Sequence, residues 1–216
     1  MSAIKLIGIY GGAFDPIHNA HIEIAKKCID EINLNKLILI PTGKSAFKKS
    51  LTVSKHRLAM LNLAFNSPEY EISRIEIDKS ENTKNPSYSF DTLKYFFNRD
   101  KNIYFFIIGT DALANFHQWF NWKEILSLCH ILLINRSDDD IFSQNWHPVI
   151  KELIEANWTN QIDNLKNNRA GMIYSVPMPR INIASHSIKD NIQNKKSLQS
   201  LVPLQIENYI KENSLY

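Results

Sequence analysis

Two histidines three residues apart, His18 and His21, follow a glycine pair, Gly11 and Gly12, in the stretch GIYGGAFDPIHNAH. Residues at i and i+3 share one face of a helix, so both imidazoles can serve one ligand. Imidazole donates hydrogen bonds and can take up a proton near neutral pH, and glycines let a ligand approach the backbone closely. A phosphate-bearing ligand suits this set better than a metal, because no Cys, Asp or Glu cluster with zinc spacing accompanies the histidines. The glycine spacing matches neither the dinucleotide GxGxxG nor the GxxxxGK[ST] phosphate loop. Taken singly, a glycine pair usually marks a turn, and Asp15 reads as well as a turn-stabilising side chain as it does as a ligand.

These groups must be held by a strand before them and a helix after them. Ile4 to Tyr10 is a short apolar run that reads as a buried strand, and Ile22, Ala25, Cys28, Ile29 and Ile32 recur at helical spacing. The histidines therefore sit where a helix begins, and there unpaired N–H groups and the helix dipole favour a phosphate. Lys36 to Pro41 predicts a second strand, parallel to the first through a right-handed crossover. Thr42 to Val53 is a basic loop with Lys44, Lys48 and Lys49. Ser54 is the expected N-cap of a helix whose inner face carries Leu58, Leu61, Ala64 and Phe65. Arg57 on that helix reads as a surface charge.

Glu71 to Ile77 alternates in part and predicts a third strand toward a sheet edge, followed by a polar, mobile loop over Asp78 to Ser87. A helix is expected over Asp91 to Asn98. Ile103 to Ile108 is the most apolar run, hence a central strand, closed by Gly109, Thr110 and Asp111. The aromatic cluster Phe116, Trp119, Phe120 and Trp122 leads into a helix over Lys123 to Leu128. A strand from His130 to Asn135 then ends at Arg136. Residues 137–169 are the least legible, with Asp138 to Asp140 a solvated turn and Val149 to Ala156 a helix. Met172 to Val176 is the last strand, Ser185 the cap of a helix, and Pro203 to Asn213 a terminal helix. Alternating strands and helices predict one doubly wound α/β domain over residues 1–216, with a mostly parallel sheet and a small helical part over about 177–216. Ligands of such sheets bind at the carboxyl ends of the strands, where the motifs lie.

Composition narrows the function classes. A chain of 216 residues is long enough for one well-packed domain and short for two. A formal charge of +3 is too mild to argue for nucleic acid, and no basic stripe with interleaved aromatics appears. No apolar run approaches 18 residues and no cleavable leader is recognisable, so a cytoplasmic protein without membrane partners is expected. The two cysteines, Cys28 and Cys129, read as buried small hydrophobes suited to a reducing compartment.

Joined together as G-G-x-F-D-P-x-H-x-x-H, the first-loop residues resemble the HxGH nucleotidylyltransferase superfamily, with Ala20 where the family has Gly. Further segments narrow the resemblance to bacterial nicotinate-nucleotide adenylyltransferases. These are Pro86-Ser87-Tyr88-Ser89-Phe90-Asp91-Thr92, Ile108 to Leu113, Phe116 through Trp119, and the tail Leu201 to Tyr216. The family patterns PSY[ST]xDT and IGxDxLxxFxxW are much more discriminating than the shared histidine tetrad.

The resemblance implies a Rossmann-like nucleotidylyltransferase fold and transfer of AMP from ATP to nicotinate mononucleotide, releasing pyrophosphate. It implies ATP contacts from Gly11, Gly12, Ala13, Phe14, His18, His21, Ser185 and Lys189. It assigns acceptor contacts to Tyr88, Ser89, Thr92, Asp111, Trp119 and Arg136, and a phosphate contact to Lys48. His18 and His21, with Lys48, would carry the chemistry. Mg²⁺ is expected on the ATP phosphates, with no protein metal site. The resemblance leaves a homo-oligomer open. The second phosphate segment departs most, reading Ile183-Ala184-Ser185-His186-Ser187-Ile188-Lys189 where the family has I-S-[SA]-T-x-I-R. Lys keeps the charge of that Arg and loses its planar fork, which implies weaker ATP binding. A related enzyme with another acceptor, or a weakly catalytic nucleotide-binding protein, are the alternatives.

Overall fold

The computed structural model describes residues 3–44, 51–83, 86–136, 140–179 and 181–216, excepting the side chain of Arg136. Six strands form one sheet: β1 (Leu6–Gly12), β2 (Lys36–Pro41), β3 (Tyr70–Ile72), β4 (Ile103–Gly109), β5 (His130–Arg136) and β6 (Ile173–Met178). Their order is β3-β2-β1-β4-β5-β6 and every ladder is parallel. Parallel strands buried on both faces need continuous apolar runs, which KLILIP and IYFFIIG supply. The strand order reverses between β1 and β4, and the crevice at such a switch point is where this architecture binds ligands.

Among the described residues, ten α-helices cover the two faces. They are α1 (Asn19–Ile32), α2 (Ser54–Ala64), α3 (Ile75–Thr83), α4 (Ser89–Arg99), α5 (Thr110–Ala114), α6 (Trp122–Ile125), α7 (Pro148–Asn157), α8 (Ile162–Asn167), α9 (Ser185–Gln193) and α10 (Leu204–Glu212). Ala25, Cys28, Met60, Ile188, Ile206 and Ile210 pack on the face that carries Leu37, Leu39, Phe105 and Ile107. Phe90, Leu93, Leu113, Ile125 and Ile150 pack on the opposite face, against Ile38, Ile40, Phe106 and Ile108. The alternation along β2 and β4 thus builds two cores from one sheet. α9 and α10 share the first core with α1, so the C-terminal helices are packed into the body of the domain.

The expected third strand is shorter than its pattern. Only Ile75 and Ile77 are spaced as in an alternating strand, while Ile72 and Ile75, three apart, would face opposite sides of one, and the chain leaves the sheet after Ile72. α3 then begins at Ile75, with Glu76 and Asp78 in its first turn favoured by the helix dipole. The stretch from Asp78 to Thr83, expected to be a mobile loop, is helix; residues 84–85 lie outside the described set. Ser54 opens α2 as its first residue while Val53 holds the N-cap position, because the Ser54 hydroxyl bonds Glu81 at 3.0 Å instead of its own helix. Likewise Ala184, not Ser185, is the N-cap of α9, since the Ser185 hydroxyl donates to the carbonyl of Pro16 at 3.2 Å.

Candidate active site

The loop from β1 to α1 lies at the switch point. A Cβ at Gly11 would have only the Phe106 ring near it, at 3.9 Å, so glycine there leaves the strand end open to a ligand. Ala13 stands half-buried beside the pair, and its carbonyl accepts a bond from Arg57 Nη1 at 2.9 Å. Phe14 turns under the loop with φ of 47° and is fully buried, packing edge-on against Tyr10 and His21. Its ring thus supports His21 from beneath. Ala20 is also buried, so its extra methyl is accommodated within α1.

His18 holds the N-cap position of α1, and its ring stacks on that of His21 with centroids 3.6 Å apart. Burial lowers the pKa of His18 to about 4, so the ring is neutral at physiological pH. Two charges in rings so close would also repel. The His18 backbone N–H donates to Nδ1 of His21 at 3.3 Å, which leaves Nε2 as the protonated nitrogen of a neutral His21 ring. Nδ1 of His18 is buried with no hydrogen-bond partner among the described residues. An unpaired buried polar atom costs about 1–3 kcal/mol, which a site evolved for packing alone would not retain.

Beneath the histidines, Asp15 gathers four segments. It is 3% exposed and accepts from Lys189 Nζ of α9 at 2.6 Å, from the Thr52 N–H at 3.2 Å and from the Tyr216 hydroxyl at 2.7 Å. Burial alone would raise its pKa, but the bonds from Lys189, Thr52 and Tyr216 together hold it below the usual carboxylate range. The Lys189 ammonium also lies 4.6 Å from the Tyr216 ring centre. The lysine expected at the triphosphate thus already spends much of its charge on Asp15. Arg57, expected at the surface, is buried, its guanidinium bonding the carbonyls of Ala13 and Thr52; burial lowers its pKa, and the nearby Asp15 counters that only in part.

Across the crevice, Tyr88 is the N-cap of α4 and Ser89 its first residue. The Tyr88 ring lies against Phe120, centroids 4.9 Å apart, and Phe120 is half exposed. The two rings are tilted by 34°, and of the two the sequence motifs assigned a role to Tyr88 alone. Trp119 is half-buried, its ring packed on Phe106 and Phe116 with part of the indole left open. Asp111 stands exposed in the first turn of α5, directly after β4. Thr92 is buried and its hydroxyl donates to Glu76 at 3.0 Å, so it is engaged within the protein. Arg136 ends β5 at the same edge of the sheet, and its side chain lies outside the described residues, as does Lys48. A cavity of about 290 Å³ adjoins this region, lined by Lys44, Thr52, Arg57, Ile77 and Ser80 among others.

Among the described residues, no group of three or more His, Cys, Asp or Glu could hold a metal ion. Asp15, the carboxylate nearest the histidine loop in sequence, has its oxygens committed to Lys189, Thr52 and Tyr216.

Comparison with known proteins agrees with this geometry. The cytidylyltransferase-like family model matches residues 9–191. A protein of Buchnera aphidicola named "probable nicotinate-nucleotide adenylyltransferase" is 35% identical, the match covering 98% of this chain and 97% of the relative. One of the same name from Carboxydothermus hydrogenoformans is 34% identical over 97% of both chains. A solved structure of Plasmodium falciparum nicotinic acid mononucleotide adenylyltransferase, complexed with NaAD, superposes with a TM-score of 0.74 at 18% identity. That alignment covers 98% of this chain and 97% of the other, and it supports the fold.

Proposed function

We propose that this chain, which belongs to the cytidylyltransferase-like family and within it to the nicotinate-nucleotide adenylyltransferases, transfers AMP from ATP to nicotinate mononucleotide. A phosphate oxygen of the mononucleotide forms a bond to the α-phosphorus of ATP, the bond from that phosphorus to the β-phosphate bridge breaks, and pyrophosphate leaves. Such transfer needs alignment and hydrogen-bond donors where charge develops, not a covalent nucleophile. The observation that carries the reading is the stacked His18–His21 pair at the sheet's switch point, with the His18 ring kept neutral by burial. Neutral imidazole N–H groups there donate to triphosphate oxygens without a proton having to leave.

In this reading Gly11, Gly12 and Ala13 line ATP through their backbone, and α9 brings Ser185 and Lys189 to the same side. Lys48 meets a phosphate. Tyr88 and Ser89 hold the acceptor, with Asp111 at ribose hydroxyls, Trp119 against the pyridine ring and Arg136 at an anionic group. Mg²⁺ enters as the counter-ion of the triphosphate substrate, and no step is assigned to it. The two free, buried cysteines support a reducing, cytoplasmic setting. Labelled ATP tests the bond that breaks. Label at the α-phosphate is expected in the dinucleotide product and label at the γ-phosphate in pyrophosphate; α-label in a released mononucleotide alone would overturn the reading.

A further inference from the structure

Two carboxylates are buried among the described residues. Asp15 anchors the histidine loop. Glu76, in the first turn of α3, is the other, and it stands between the two loops that flank the acceptor side of the crevice. Its Oε1 accepts from the Thr92 hydroxyl of α4 at 3.0 Å, and its carboxyl group also accepts from the Gly43 N–H, just past the end of β2. The backbone repeats the connection. The Ser87 hydroxyl donates to the Glu76 carbonyl at 3.4 Å, and the Ser87 N–H donates to the Lys44 carbonyl at 3.2 Å. A Cβ at Gly43 would run into that same Glu76 carbonyl, so the loop after β2 lies directly on α3. Lys79, one turn on from Glu76, pairs with Asp91 of α4 at 2.6 Å and braces the two helices from outside.

We infer that Glu76 is a positioning residue for the acceptor: its carboxyl group fixes the start of α4, and with it Tyr88 and Ser89, against the loop that follows β2. The inference rests on the reading of Tyr88 and Ser89 as acceptor-holding residues. Thr92 then acts through Glu76 and does not touch the substrate. Burial favours the neutral carboxyl, and the bonds from Thr92 and Gly43 with the charge of Lys79 hold its pKa to about 7. A group so costly to ionise would be replaced by an apolar side chain if packing were its only task.

Steady-state kinetics of the full chain with ATP and nicotinate mononucleotide test this. Glu76→Ala is expected to raise the KM for the mononucleotide about tenfold, as for the loss of a hydrogen bond to a buried carboxylate, with the KM for ATP within about twofold. Glu76→Gln keeps an acceptor oxygen and is expected to restore the mononucleotide KM to within about threefold of wild type. Where Glu76→Ala does not fold, Glu76→Asp, which keeps the carboxyl group and shortens the reach, carries the same expectation. Both KM values rising together, or a wild-type KM in folded Glu76→Ala or Glu76→Asp, would overturn it. Failure of the wild type to use nicotinate mononucleotide would instead sink the functional reading. Amide exchange over residues 86–93 then decides the anchor by itself: at least about tenfold faster exchange in Glu76→Ala supports it, and unchanged exchange rejects it.

Discussion

At the scale of single residues, the proposed chemistry rests on two imidazoles, one kept neutral by burial and the other oriented by a backbone bond. Removing the His21 ring takes away a preorganised donor, so His21→Ala is expected to lower kcat by about 10²–10³, with the KM for ATP little changed. Single-turnover and steady-state rates would read this, and near-normal turnover would remove His21 from the mechanism. His18 adds a pH signature. Its folded pKa, near 4, lies below the ordinary histidine value, so the unfolded chain binds the extra proton first as pH falls. Its contribution to stability is complete above about pH 6.5 and is lost as pH falls from there through about 4. Urea titrations across that window should show the wild type losing stability relative to His18→Gln as pH falls; a constant difference would contradict the buried neutral ring. The pair itself was legible because it lies three residues apart in one motif. Arg57 and Glu76 were not, because a charged residue reads as solvated until the fold supplies carbonyls and hydroxyls around it.

At the scale of elements, what holds the site is a set of joints between segments distant in sequence. Asp15 bonds Lys189 and Tyr216 across 174 and 201 residues, separations that no local pattern encodes. Removing the buried carboxylate leaves the Lys189 ammonium without its partner, so Asp15→Ala is expected to cost about 3 kcal/mol, seen as a lowered urea midpoint at unchanged slope. A loss below half that value would mean that the joint is dispensable. The boundary between β3 and α3 was misread for a related reason. The spacing of Ile72, Ile75 and Ile77 holds to neither period throughout, and the helix brings Glu76 to Thr92 and Gly43. The strands β1, β2 and β4 were legible, since an apolar run ending in glycine or proline leaves few alternatives.

At the scale of the whole molecule, a parallel sheet in the order β3-β2-β1-β4-β5-β6 gathers the loops after β1, β2, β4 and β5 along one edge, with the histidines where the order reverses. The alternation of strands and helices made this class of fold readable from the sequence, and the family motifs fall at the strand ends where the class binds its ligands. The account stands on the reaction that this edge performs, and pyrophosphate release tests it most directly. Initial rates would be measured with ATP, Mg²⁺ and either nicotinate or nicotinamide mononucleotide. Rapid release with the nicotinate form and much slower release with the nicotinamide form is the predicted result. Release with neither, from protein that still binds ATP, would contradict the assignment.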